Sequence, residues 1–126
     1  MSDLDLLSNV QLLEGFILTR VTESADPMVD ALGREAIART EIVGRKIQVT
    51  VRSGLSAKEL SVTIYHEILE ALTVAVVRPP KSVLEFNEGD FERAGYEAFD
   101  RFGAATPATL NSMLQFFGFR ENENRD

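Results

Sequence analysis

The residues best suited to chemistry in this chain lie within one five-residue run, His66-Glu67-Ile68-Leu69-Glu70. His66 is the single histidine of the 126 residues. On a helix, His66 and Glu70 stand one turn apart on one face, so imidazole and carboxylate can converge on a point above the surface. Glu67 is turned by about 100° from His66 and can reach the edge of that point. Helical metal sites use this geometry, with two ligands at i and i+4 and a carboxylate at i+1 as general base towards water. The plainer reading is an i,i+4 contact on a solvated face, worth about 0.2–0.5 kcal/mol, with Glu67 an ordinary surface carboxylate.

The surrounding helix decides how such a run is presented. Ser56 can cap it, and Glu59 three residues on completes a capping box. The helix is expected from about 57 to 76 or 77, ending before Pro79-Pro80. Leu60, Ile64, Ile68, Leu72 and Ala75 form one apolar row, and Val62, Tyr65, Leu69 and Val76 another. Such a helix is contacted from several sides. The stripe Glu59, Thr63, His66, Glu70 and Thr73, with Glu67 beside it, must therefore face a cleft or a partner.

Other elements follow from local signals. Residues 4–14 suggest a short helix, 16–21 a strand and 22–26 a loop. Asp26-Pro27 is a good helix start, which predicts a helix over 27–40 with Met28, Ala31, Leu32, Ile37 and Ala38 towards the core. Lys46–Arg52 alternates, placing Ile47, Val49 and Val51 on a buried face and Gln48 and Thr50 on an open one. Asn87, with Asp90 three residues later, caps a helix to about Phe102 that Gly103 ends. Thr106-Pro107 opens a last helix of about 107–117, closed by Gly118. Phe86, Phe91, Phe99, Phe102, Phe116, Phe117 and Phe119 crowd the last third. Their spacing reads as core packing, or as a partner surface if Phe116, Phe117 and Phe119 are exposed.

The run at 66–70 resembles the His-Glu-x-x-His helix of zincin metallopeptidases, with Glu70 at the second histidine position, giving a degenerate HExxE motif. The order of elements is similar as well, namely a helix, an open-faced strand at 46–52, then the active-site helix, and the resemblance covers residues 46–90. Asn87-Glu88-Gly89-Asp90 resembles the downstream element that supplies a third, glutamate ligand. The resemblance implies His66, Glu70 and Glu88 as metal ligands, Glu67 as general base, and an extended peptide held along strand 46–52. It implies one divalent metal, zinc first, with manganese or iron as alternatives for an oxygen-rich set, or no metal if the site is degenerate. Asp90 and Glu92 are rival third ligands, and the acids at 88–90 are more simply explained as a helix N-terminus. The chain departs from the family in lacking a second histidine, and its tyrosines number two, Tyr65 and Tyr96.

Composition narrows the alternatives. The length suits one domain, expected over 1–119, with a charged, frayed tail at 120–126. Apolar residues are 44%, enough for a sizeable core, and there is no cysteine, which excludes disulfides and thiolate chemistry. The net charge of −7 disfavours nucleic acid as a partner. An N-terminus without a basic or long apolar run, and no membrane-length apolar stretch, lead to the expectation of a cytoplasmic protein with no membrane partner. The fold expected is α+β: a short, mostly antiparallel sheet packed on a central buried helix, zincin-like, with a helical C-terminal part. The function expected first is a small metal-dependent peptide hydrolase. The alternatives are a catalytically inactive zincin-like fold acting as a protein-interaction or regulatory domain, and a domain binding a small molecule along the polar stripe.

Overall fold

The structure, a computed structural model, describes residues 3–29 and 32–121. Among the described residues, six strands and three α-helices make an α+β fold: β1 (Val10–Gln11), β2 (Ile17–Ser24), β3 (Met28–Val29), β4 (Glu35–Ala36), β5 (Ala38–Val43), β6 (Lys46–Arg52), α1 (Ala57–Ala75), α2 (Glu88–Phe102) and α3 (Pro107–Phe116). The main sheet has the order β1-β2-β6-β5, and β3 and β4 pair in a separate ribbon. β2 runs parallel to β6, while β1–β2 and β5–β6 are antiparallel. The sheet is thus mixed, with antiparallel pairs in the majority, as expected.

The alternation in β6 works as its residue types require. Ile47, Val49 and Val51 are fully buried under α1 with Leu18 and Val21 of β2. Each such side chain contributes about 1.5–3 kcal/mol relative to exposure. β6 is an interior strand, paired on both sides. It has no free backbone edge, so the expectation that 46–52 holds an extended substrate is overturned.

Among the described residues of 27–40 there is no helix, contrary to the prediction. Ser24 Oγ and the Asp26 backbone bond each other in a bend, so Asp26-Pro27 lies in a turn rather than at a helix start. The chain continues as the β3–β4 hairpin and then β5, within the crossover that joins parallel strands β2 and β6. The β-branched residues Ile37, Thr40, Ile42 and Val43 favour this pairing over helix. Gly44, at φ 61°, supplies the turn from β5 into β6. Met28 is buried and Ala38 packs at the core's margin, but Leu32 and Ile37 are exposed; Ala31 lies outside the described residues. Two smaller corrections concern the N-terminal part. Over 4–14 there are two 3-10 turns, Asp3–Leu7 and Leu13–Gly15, around β1, rather than one helix. β2 also continues through Ser24, where a loop was expected.

The helices begin where their caps dictate. Ser56 with Glu59, Asn87 with Asp90 and Thr106 with Thr109 form reciprocal capping boxes. α1 is the central helix, with Ile64, Tyr65, Ile68, Leu69 and Leu72 buried and the Tyr65 hydroxyl donating to the Gly103 carbonyl at 2.8 Å. Phe91, Phe117 and Phe119 are core residues, and Phe116 is exposed beneath the Arg101 guanidinium at 4.2 Å. The three C-terminal phenylalanines therefore form no open patch. Arg120 is held rather than frayed: its amide donates to Glu14 Oε2 at 2.9 Å, and its carbonyl accepts from the Glu14 amide. Residues 122–126 lie outside the described residues. Among the described residues, no helix is long and apolar enough to cross a membrane.

Candidate functional site

The polar stripe of α1 faces a cleft of about 690 Å3, walled by Leu32, Arg34, β4 and β5 on one side and by the first turns of α2 on the other. Apolar Leu32, Ile37, Ala71 and Val74 share the lining with His66, Glu67, Glu70 and Glu88.

At the floor of the cleft, His66 is 15% exposed and Nε2 is buried. Nε2 lies 3.3 Å from Glu70 Oε1 on its own helix and 3.1 Å from Glu88 Oε2 on α2. Neither oxygen lies in line with the ring N–H, so the nitrogen makes no aligned hydrogen bond. The carboxylates attract the ring by proximity rather than by alignment. Ligand atoms of His66, Glu67 and Glu70 all lie within 4.8 Å of one another. The structure therefore brings together all four residues singled out for chemistry. It also places Glu67, expected as a base, within ligand distance. Of the rival third ligands, Asp90 is occupied in the α2 cap and by Arg93. Glu92 lines the cleft without an ion pair to His66.

Electrostatics follow from this crowding. Burial pushes the His66 imidazole down, but the close Glu70 oxygen and the charges of Glu67 and Glu88 outweigh it and hold the ring above its ordinary pKa. Glu67 is raised, chiefly by burial, although a hydrogen bond from Thr40 pulls the other way. Glu70 is lowered by its contact with His66. Glu88 is raised, by burial and then by the charge of Glu70. Three carboxylates thus surround one imidazole.

Three supporting features were missed by sequence reasoning. Thr40 Oγ1 donates to Glu67 Oε1 at 2.6 Å and so ties β5 to the site. With 27–40 read as helix, nothing pointed to it. Phe91 stacks on the His66 ring, 6.4 Å between centroids and 4° between planes. Gly95, two turns beyond Glu88, lets α2 approach α1 closely. A Cβ there would lie 2.7 Å from the Val62 carbonyl oxygen and 3.4 Å from His66 Cβ. A glycine inside a helix, where alanine is intrinsically better, was the available signal.

Comparison with known proteins yields no relative: no protein-family model, no curated protein and no solved structure matches the chain.

Proposed function

We propose that the protein is a small metal-dependent hydrolase acting on a peptide held in extended form along β5. The observation that carries this is the buried, unaligned His66 Nε2 at the centre of Glu67, Glu70 and Glu88. One neutral nitrogen and several carboxylate oxygens form a donor set fit for a divalent cation, which would also relieve the mutual repulsion of the acids. His66, Glu70 and Glu88 would hold it, zinc first, with manganese or iron compatible with the oxygen-rich set. When bound, such an ion supplies polarisation of a carbonyl and acidification of water.

The chain's own residues do the rest. Glu67 accepts the Thr40 hydrogen bond on Oε1, which fixes the carboxylate and leaves Oε2 to take a proton from water. Its raised pKa suits a base working nearer neutrality than an ordinary carboxylate. Ala38, Thr40 and Ile42 of β5 direct backbone groups away from β6, by the alternation that the Arg52 N–H to Ile37 carbonyl bond sets. These groups can hold a peptide backbone beside the cluster.

The test is peptidase activity of the zinc- or manganese-loaded chain against an unstructured casein substrate. Glu67→Gln is expected to abolish turnover while metal content stays unchanged. Turnover that survives this substitution overturns the assignment of the base.

One observation favours the rival, non-catalytic reading. Tyr65 is buried with its hydroxyl on Gly103, and Tyr96 stands beside Lys58. Neither tyrosine is placed to stabilise an oxyanion. Metal binding with no hydrolysis in the wild type would favour an interaction domain built on the same cleft.

A further inference from the structure

We propose that the free edge of β5 is a self-association surface, through which two copies of this chain pair in an antiparallel β5–β5 contact centred on Thr40. Among the described residues, β5 is bonded to β6 on one side only. The bond from Arg52 N–H to the Ile37 carbonyl, with the register Arg39↔Thr50 and Glu41↔Gln48, turns the backbone groups of Ile37, Arg39, Glu41 and Val43 towards β6. Those of Ala38, Thr40 and Ile42 then point to the open edge. Six residues give enough edge for a ladder, and the run Ala-Arg-Thr-Glu-Ile-Val contains no proline, while its two edge charges, Arg39 and Glu41, are of opposite sign. Val43 and Ile42 of β5 and Ile37 just before it are left to solvent, at 76%, 37% and 42% exposed.

The occupant is identified by the charge pattern. Arg39 and Glu41 are both exposed, and neither takes part in an ion pair among the described residues. They flank Thr40 symmetrically. When β5 is laid antiparallel on itself about Thr40, Arg39 of each copy stands opposite Glu41 of the other. In the same register Ile42 meets Ala38, Val43 meets Ile37, and the two Thr40 residues exchange backbone hydrogen bonds. An isologous interface requires this self-complementarity, and an unrelated acidic or basic partner would satisfy only one of the two charges. The pairing stands on strand geometry and charge and is independent of the metal. On the hydrolase reading, on which this consequence alone rests, a second β5 would occupy the substrate's place.

Sedimentation of the full chain across a concentration series tests the proposal, with circular dichroism confirming that each variant is folded. The wild type is expected to show a monomer–dimer equilibrium. Arg39→Glu and Glu41→Arg, taken singly, set like charges across both symmetric pairs and should weaken the dimer about tenfold or more. The double swap Arg39→Glu with Glu41→Arg should restore it. Ile42→Pro, which removes an edge N–H without touching the β6 ladder, should leave a folded monomer. A wild type that stays monomeric at every concentration overturns the proposal and leaves the edge to an extended segment of another protein. A dimer indifferent to the single reversals, or one the double swap fails to restore, overturns it equally.

Discussion

Gly95→Ala separates helix propensity from packing at the site. Alanine is favoured over glycine inside a helix by about 0.5–1 kcal/mol, so a solvated α2 would gain stability. At Gly95 the added methyl would meet the Val62 carbonyl oxygen at 2.7 Å and Val62 Cγ1 at 3.2 Å. A backbone carbonyl inside α1 cannot move aside as a side-chain tip can, so α2 must shift. Overpacking of this kind costs about 1–3 kcal/mol. The net expectation is a loss of up to about 2.5 kcal/mol, or up to roughly 10 °C in Tm for a chain of this size. Gly89→Ala is the control on the same helix: its Cβ would make ordinary contacts, at 3.4 Å to the Asn87 side chain and 3.5 Å to that of Arg93. Thermal unfolding in chelator should therefore show Gly95→Ala below the wild type and Gly89→Ala at or above it. Because Glu88, Phe91 and Gly95 lie along the α2 face that meets His66, zinc affinity should fall in Gly95→Ala and hold in Gly89→Ala. If Gly95→Ala raised Tm as Gly89→Ala is allowed to, the close approach of the two helices would be refuted.

Two further outcomes follow. The raised His66 pKa means that the folded, metal-free chain holds this proton more tightly than the unfolded one; the stabilisation is complete below about pH 6.5 and fades as pH rises through the folded value. Glu67, also raised, acts in the same sense from the ordinary carboxylate range upward, whereas the lowered Glu70 contributes stability that is lost only on acidification. Urea unfolding of metal-free protein should therefore show stability declining from pH 6 to 9, with a flatter profile in His66→Asn; a rising wild-type profile would contradict this. Thr40→Val removes the donor to Glu67 while keeping the shape of the side chain, and should cost about 1–3 kcal/mol and raise the Glu67 pKa further, read by denaturation and carboxyl NMR. Unchanged values for both would show that this hydrogen bond does not form.

What was legible in the sequence was local. The Ser56/Glu59, Asn87/Asp90 and Thr106-Pro107 signals act within one turn, and they placed three helices. The alternation of Ile47, Val49 and Val51 reports a fully buried face and placed β6. β5 was not legible because an edge strand uses one face and one side only. Its Arg39 and Glu41 look as much like a solvated helix as a strand, and Asp26-Pro27 mimics a cap where the chain forms a turn. The parallel partnership of β2 with β6 is long-range and leaves no local mark. At the site, the spacing of His66, Glu67 and Glu70 carries its own geometry. The arrival of Glu88 at His66 depended on a family resemblance, since a cap explains the same acids. Thr40 and Gly95 act only through tertiary contacts, with β5 facing α1 and α2 laid against it.

The central claim is that the His66 cluster is a cation site, and calorimetric titration of chelator-stripped protein with zinc addresses it most directly. About one ion per chain should bind, with protons released as the ligands lose them. Binding should be abolished in His66→Ala and weakened in Glu88→Gln. A wild type that takes up no zinc, manganese or iron, or one whose uptake is untouched by His66→Ala, would contradict the account.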